Sequence, residues 1–169
     1  MRQPVTAFVG VGANLGDAPA AVRQALDDLA RLPGTTVAAR SSLYRSQPVD
    51  AGGPDYVNAV AQLATTLDAH ELLLQLQELE QRAGRERPYR NAPRTLDLDL
   101  LLHGDTRIAS AQLTLPHPRM HERAFVLLPL AEIAPQRVTA AQLAAVTSQV
   151  IARMTDRPDH GAIETGGSP

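Results

Sequence analysis

An α+β fold with a mostly antiparallel sheet is predicted by three features of the chain: apolar stretches with the two-residue period of strands, amphipathic stretches with the period of helices, and the order in which they alternate. Val5 to Gly12 is apolar and small enough to be a buried first strand, running into a turn at Ala13-Asn14-Leu15-Gly16. Asp17 can cap the helix that follows and Pro19 suits its first turn. Val22, Leu26, Leu29 and Leu32 repeat at helical spacing, and Pro33-Gly34 ends the element. Thr35 to Tyr44, rich in β-branched and small residues, reads as strand two. Tyr56 to Leu67 reads as strand three, with Val57, Ala59, Ala61 and Leu63 on one face. Between them, Gln47 to Asp55 is a loop punctuated by Pro48, Gly52, Gly53 and Pro54.

Asp68 and Glu71 form a capping-box pattern, after which Leu72, Leu76, Leu79 and Ala83 line a second helix that stops at Gly84. Gly84 to Thr95 is a second polar loop. The fourth strand follows, with a turn at His103-Gly104-Asp105 and a short strand near Gln112 to Leu115. Phe125 to Ile133 is expected as an apolar helix stopped by Pro135. Thr139 is expected to cap a last helix with Leu143, Val146, Val150 and Met154 on one side. The order βαββαβ, with helices on one side of the sheet, is the ferredoxin-like arrangement. A single domain over residues 1–154 is expected, with 155–169 a frayed polar tail.

Composition narrows the function. With 169 residues, 44% of them hydrophobic and 20% charged, the chain can bury a core without staples. It has no cysteine, which excludes disulfides, thiolate metal sites and a cysteine nucleophile. All sixteen basic residues are arginine, so a Walker A loop, which needs lysine, is impossible. A net charge of −2 and 3% aromatic residues argue against nucleic-acid binding. No apolar run approaches the roughly 18 residues that span a bilayer, and the first eleven residues are too short and interrupted for a signal peptide. A cytoplasmic protein without membrane or nucleic-acid partners is expected, and a monomer.

The chemistry concentrates in Ala92-Pro-Arg-Thr-Leu-Asp-Leu-Asp-Leu-Leu-Leu102. Side chains alternate along a strand, so Asp97 and Asp99 share one face while Leu96, Leu98 and Leu100 share the other. Carboxylates two residues apart lie about 6 to 7 Å apart at Cα, near enough to ligate hard cations such as Mg²⁺. Taken alone, such a pair is more often the wet face of an edge strand. The arginines crowded before it, Arg82, Arg85, Arg87, Arg90 and Arg94, instead call for an anionic partner, and a phosphate ester satisfies both sets of charges.

Three motifs then occur in order: Gly-Ala-Asn-Leu-Gly-Asp from Gly12, Ala-Pro-Arg-Thr-Leu-Asp-Leu-Asp-Leu-Leu-Leu from Ala92, and Leu-Thr-Leu-Pro-His-Pro-Arg-Met from Leu113. Together they resemble the 6-hydroxymethyl-7,8-dihydropterin pyrophosphokinases of folate biosynthesis, over about Ala7 to Pro135. The resemblance implies Mg²⁺-dependent transfer of diphosphate from ATP to the pterin hydroxymethyl group, with release of AMP. It implies that Asp97 and Asp99 hold two Mg²⁺ ions and that Arg85 and Arg94 are catalytic phosphate contacts. Glu80, Arg85, Arg87, Arg94, His117 and Arg123 match ATP-site positions. Ser46, Gln47, Val49, Tyr56, Asn58, Asp97 and Phe125 match the pterin site.

Asn58 suits the amide-like edge of a pterin, and Phe125 suits its flat ring. The sequence departs from the family pattern at Asn91, where tryptophan is frequent, at Gln47 and Val49, in place of proline and leucine, and at Pro118, in place of tyrosine. A dinucleotide-binding reading of Gly10, Gly12 and Gly16 fails on glycine spacing and on the lack of an acid after strand two. A noncatalytic ferredoxin-like module that binds ATP without turning it over is the other alternative; it would release no AMP.

Overall fold

A computed structural model describes residues 2–47, 54–84 and 96–154. The sheet is built from β1 (Val5–Ala13), β2 (Thr35–Arg40), β3 (Tyr44–Ser46), β4 (Tyr56–Thr65), β5 (Asp97–His103) and β8 (Ile151–Arg153), in the order β5-β1-β4-β3-β8, with β2 also against β4. Every pairing is antiparallel. The four expected strands, now β1, β2, β4 and β5, run β5-β1-β4-β2 across the sheet, as the ferredoxin-like arrangement requires. Helix α1 (Ala18–Leu29) begins where Asp17 accepts the Ala20 N–H, and α2 (Ala69–Gly84) where Asp68 and Glu71 exchange hydrogen bonds at 2.8 Å in the expected capping box.

One face of the sheet is closed by α1 and α2. Val9, Val11, Ala59, Leu63, Leu98 and Leu100 meet Val22, Leu26, Leu72 and Leu76, all fully or almost fully buried. Each such leucine stabilises the fold by about 1.5–3 kcal/mol relative to exposure. The expectation of helices on one side only is corrected on the second face. There α3 (Ala124–Ile133) packs Val126 and Leu130 against Phe8, Val60 and Leu101. This helix is apolar on nearly all sides because it is covered twice, by the sheet and, at Leu127, by Val146, the residue that ends α4 (Ala140–Ala145).

Strand two is divided. Ser41 interrupts it by donating its side chain to its neighbour's carbonyl and accepting the Val60 N–H, so β2 and β3 pair with β4 separately. An unanticipated β6 (Ile108–Ala109) pairs with β7 (Thr114–Leu115). The last helix is shorter than its apolar spacing predicts. The capping box between Thr139 and Gln142 forms as expected, but the helix stops at Ala145 and Val150 is 65% exposed. The run Val146, Thr147, Val150, Ile151 is β-branched, which disfavours helix, and the free edge of β3 captures Ile151–Arg153 as β8. Leu115–Pro116 is cis.

Candidate active site

The register of the sheet gathers the site on the face that α3 half covers. Arg153, Tyr44, Asn58, Gly12 and Asp97 are cross-strand neighbours in one row spanning β8, β3, β4, β1 and β5. In the adjacent row Val60 lies beside Gly10 and Gly10 beside Asp99. The expected sharing of a face by Asp97 and Asp99 is therefore observed, with Leu98 and Leu100 buried behind them. Gly12 makes room between two functional side chains: a Cβ there would lie 2.5 Å from Asn58 Nδ2. The same amide's Oδ1 is buried with no hydrogen-bond partner among the described residues. A buried acceptor left so costs about 1–3 kcal/mol, and a ligand N–H removes the cost.

Next to this row lies a pocket of about 340 Å³. Ser46, Gln47, Tyr56 and Phe125 line it, four of the residues expected in a pterin site. Val49 falls outside the described residues. Asn58 is not on the pocket wall; it sits two residues from Tyr56 along β4, on the same face. Sequence reasoning missed the remaining wall, Ala124 and Ser148 to Ile151. It carried no signal, since helical spacing assigned that segment elsewhere.

The anionic half is assembled from β5 and the segment after β7. Glu80 on α2 accepts the Leu98 N–H at 2.7 Å, fixing the edge of β5 between the two acids. Arg123 Nη1 stands 3.9 Å from Asp99 Oδ2, and its guanidinium lies 5.4 Å from the centre of the Phe125 ring. One residue thus touches both halves of the site. His117 is half-buried; its N–H bonds to the Leu101 carbonyl, and its Nδ1 accepts the Arg119 N–H at 3.2 Å. That leaves the neutral ring's proton on Nε2. Burial lowers the His117 pKa, against the opposing charge of Asp99 and with the help of Arg123 and Arg119. Arg85, Arg87, Arg94 and the Asn91 departure lie outside the described residues; Pro118 follows His117 and offers no donor.

The donor set suits Mg²⁺. Among the described residues no three of His, Asp and Glu converge as a ready-made cage. Mg²⁺ usually keeps its waters and is held by one or two carboxylates together with substrate phosphates, and Asp97 and Asp99 supply such a pair.

Carboxylates on a strand face, a histidine, an arginine beside them and an aromatic pocket fit one class: a transferase that moves a phosphate-bearing group onto a small flat acceptor. Comparison with known proteins narrows it. The family described as 7,8-dihydro-6-hydroxymethylpterin-pyrophosphokinase matches residues 8–135. A 2-amino-4-hydroxy-6-hydroxymethyldihydropteridine pyrophosphokinase of Haemophilus influenzae is 40% identical over 162 residues, 95% of this chain and 98% of that one. Proteins of the same name from Synechocystis sp. and Pseudomonas aeruginosa are each 46% identical, over 78% and 76% of this chain and 68% and 80% of their own length. The chain belongs to the 7,8-dihydro-6-hydroxymethylpterin-pyrophosphokinase family.

Proposed function

We propose that this protein transfers the β,γ-diphosphate of ATP to the hydroxymethyl oxygen of 6-hydroxymethyl-7,8-dihydropterin, in folate biosynthesis. The observation that carries the reading is the placing of an orphaned Asn58 acceptor and an aromatic pocket on the same sheet face as the Asp97–Asp99 pair. The pterin ring is read by Asn58 along its N–H edge and held flat by Phe125 and Tyr56, with Ser46 and Gln47 closing one side; Val49 is assigned to the pterin by its match to the family alone. Asp97 lies in the same row as Asn58, with only the side-chain-free Gly12 between them, so the hydroxymethyl arm needs little reach to meet the phosphates.

Asp97 and Asp99 hold two Mg²⁺ ions in this reading. When bound, they offset the charge of the transferred group. His117 donates from Nε2, neutral because burial disfavours its charged form, and Arg123 adds a positive charge beside Asp99. Glu80 acts from behind by fixing the strand. Arg85, Arg87 and Arg94 contact phosphate oxygens as their match to the family implies. The hydroxymethyl oxygen attacks the β-phosphorus, the bond to AMP breaks, and the hydroxyl proton is released; catalysis is positioning and electrostatics. Residues 1–154 act as one catalytic unit, as a monomer, without nucleic acid. Among the described residues no helix is long and apolar enough to cross a membrane.

The test is purified protein with Mg²⁺, ATP and the pterin, products separated by chromatography. AMP that appears only with pterin is expected. ADP would mean an ordinary kinase, and no nucleotide product would return the chain to a binding role.

A further inference from the structure

We infer that Gln149 is a positioning residue for the reaction, acting by clamping the backbone on both sides of Arg123. The inference rests on the diphosphotransfer reading above. Gln149 lies beyond Pro135, where the family match ends, in the turn between α4 and β8. Its side-chain Oε1 accepts the Ala124 N–H at 2.9 Å, and its Nε2 donates to the Glu122 carbonyl at 2.8 Å. One planar amide thus engages the two peptide groups that flank Arg123.

The grip answers a local need. Ala124 opens α3, and its N-cap residue, Arg123, makes no capping hydrogen bond with its side chain. The first amides of a helix have no partner within it, so the distant glutamine supplies one. Arg123 is extended, at φ −121° and ψ 116°, between a 3-10 turn (Met120–Glu122) and α3. A residue at such a junction is held by what fixes its two peptide planes. From there its guanidinium reaches Asp99 on one side and the Phe125 ring on the other.

The anchor is itself fixed. The Gln149 N–H bonds to the carbonyl of buried Val146 at 3.0 Å, and two residues further on the chain is paired to β3. Ser148 to Ile151 also face Phe125 across the pocket. A displacement of about 1 Å can cost on the order of a hundredfold in rate, so a clamp on this junction reaches both substrates. A merely structural tie would lower stability without depending on Arg123.

The two roles separate in a double-mutant cycle on the whole chain. Gln149→Met keeps the side chain's length and removes both hydrogen bonds; Gln149→Glu restores the acceptor for Ala124 alone. Gln149→Met is expected to lower kcat/KM for the pterin by about tenfold or more, with Gln149→Glu between it and wild type. In an Arg123→Ala background the same change is expected to cost less than about twofold, because its target is gone. An equal loss in both backgrounds, or a Gln149→Met enzyme within about twofold of wild type, would overturn the inference. If Gln149→Met does not fold, Gln149→Glu is carried through the same cycle. Should the wild type form no AMP, the diphosphotransfer reading fails by itself. The Arg123 Nε–Hε resonance then decides the clamp: a shift in Gln149→Glu supports it and an unchanged resonance removes it.

Discussion

The two ends of the row that crosses the sheet differ in how closely their carboxylates are enclosed. At the Tyr44–Arg153 end polar groups are already paired with one another. Glu132 accepts from the Ser42 N–H and hydroxyl and from the Tyr44 hydroxyl at 2.8 Å, while Arg153 lies 3.8 Å from the same carboxylate and over the Tyr44 ring. At the Asp97 end Asp99 keeps 44% of its side chain exposed, with Arg123 at 3.9 Å. A flat heterocycle is recognised by shape, which must exist before it arrives, so its neighbourhood is locked internally. Phosphates and cations bring their own charges, and Asp99 keeps much of its surface open to meet them.

The comparison breaks most visibly at the acids. Asp99→Asn is expected to lower turnover on the order of a thousandfold while leaving pterin affinity, read by fluorescence titration, close to wild type. Near-normal turnover would remove the proposed metal role. Phe125→Ala attacks the other half: the pterin affinity should fall about tenfold or more, since a lost aromatic stack alone is worth about 0.5–1.5 kcal/mol. A matched loss of ATP affinity would show that the two halves are not separate.

Gly12→Ala sharpens the boundary between them. The added methyl would press on the end of the Asn58 side chain, which can swing aside, so the fold should survive with little loss of thermal midpoint. The amide would no longer face the ligand, and pterin affinity should drop about tenfold for one hydrogen bond left unmade. Unchanged affinity would mean that Asn58 does not read the ring.

The legibility of the sequence follows the same division. The acid strand was readable because alternation alone puts Asp97 and Asp99 together and Leu98 and Leu100 behind them, and helix caps at Asp17 and Asp68 are local chemistry. The family resemblance added Tyr56, Asn58 and Phe125; without it the two aromatic residues read as core. What stayed hidden depends on contacts far apart in sequence. Glu132 looks like any helix acid until Ser42 and Tyr44, about ninety residues earlier, are set against it. The pocket wall at Ser148 to Ile151 was masked by a helical spacing of Leu143, Val146, Val150 and Met154 that a sheet edge overrides.

The mildest change tests whether the locked end holds the pocket through charge. Burial by itself would raise the Glu132 carboxyl, but the Ser42 N–H, the Tyr44 and Ser42 hydroxyls and the Arg153 charge together hold it below its usual 4.5. A folded-state value below the unfolded one means the carboxylate contributes stability in full above about pH 4.5 and loses it as pH falls through the lowered value. Glu132→Gln keeps the shape and part of the hydrogen bonding. At pH 7 it should cost about 1 kcal/mol, equivalent to a few degrees of thermal midpoint in a chain of this size. The gap from wild type should close on acidification below the ordinary glutamate range. Two midpoint curves that stay parallel from pH 7 to pH 3 would mean that the charge contributes nothing and that Tyr44, Ser42 and the β3–β8 pairing hold the wall by packing and neutral hydrogen bonds alone.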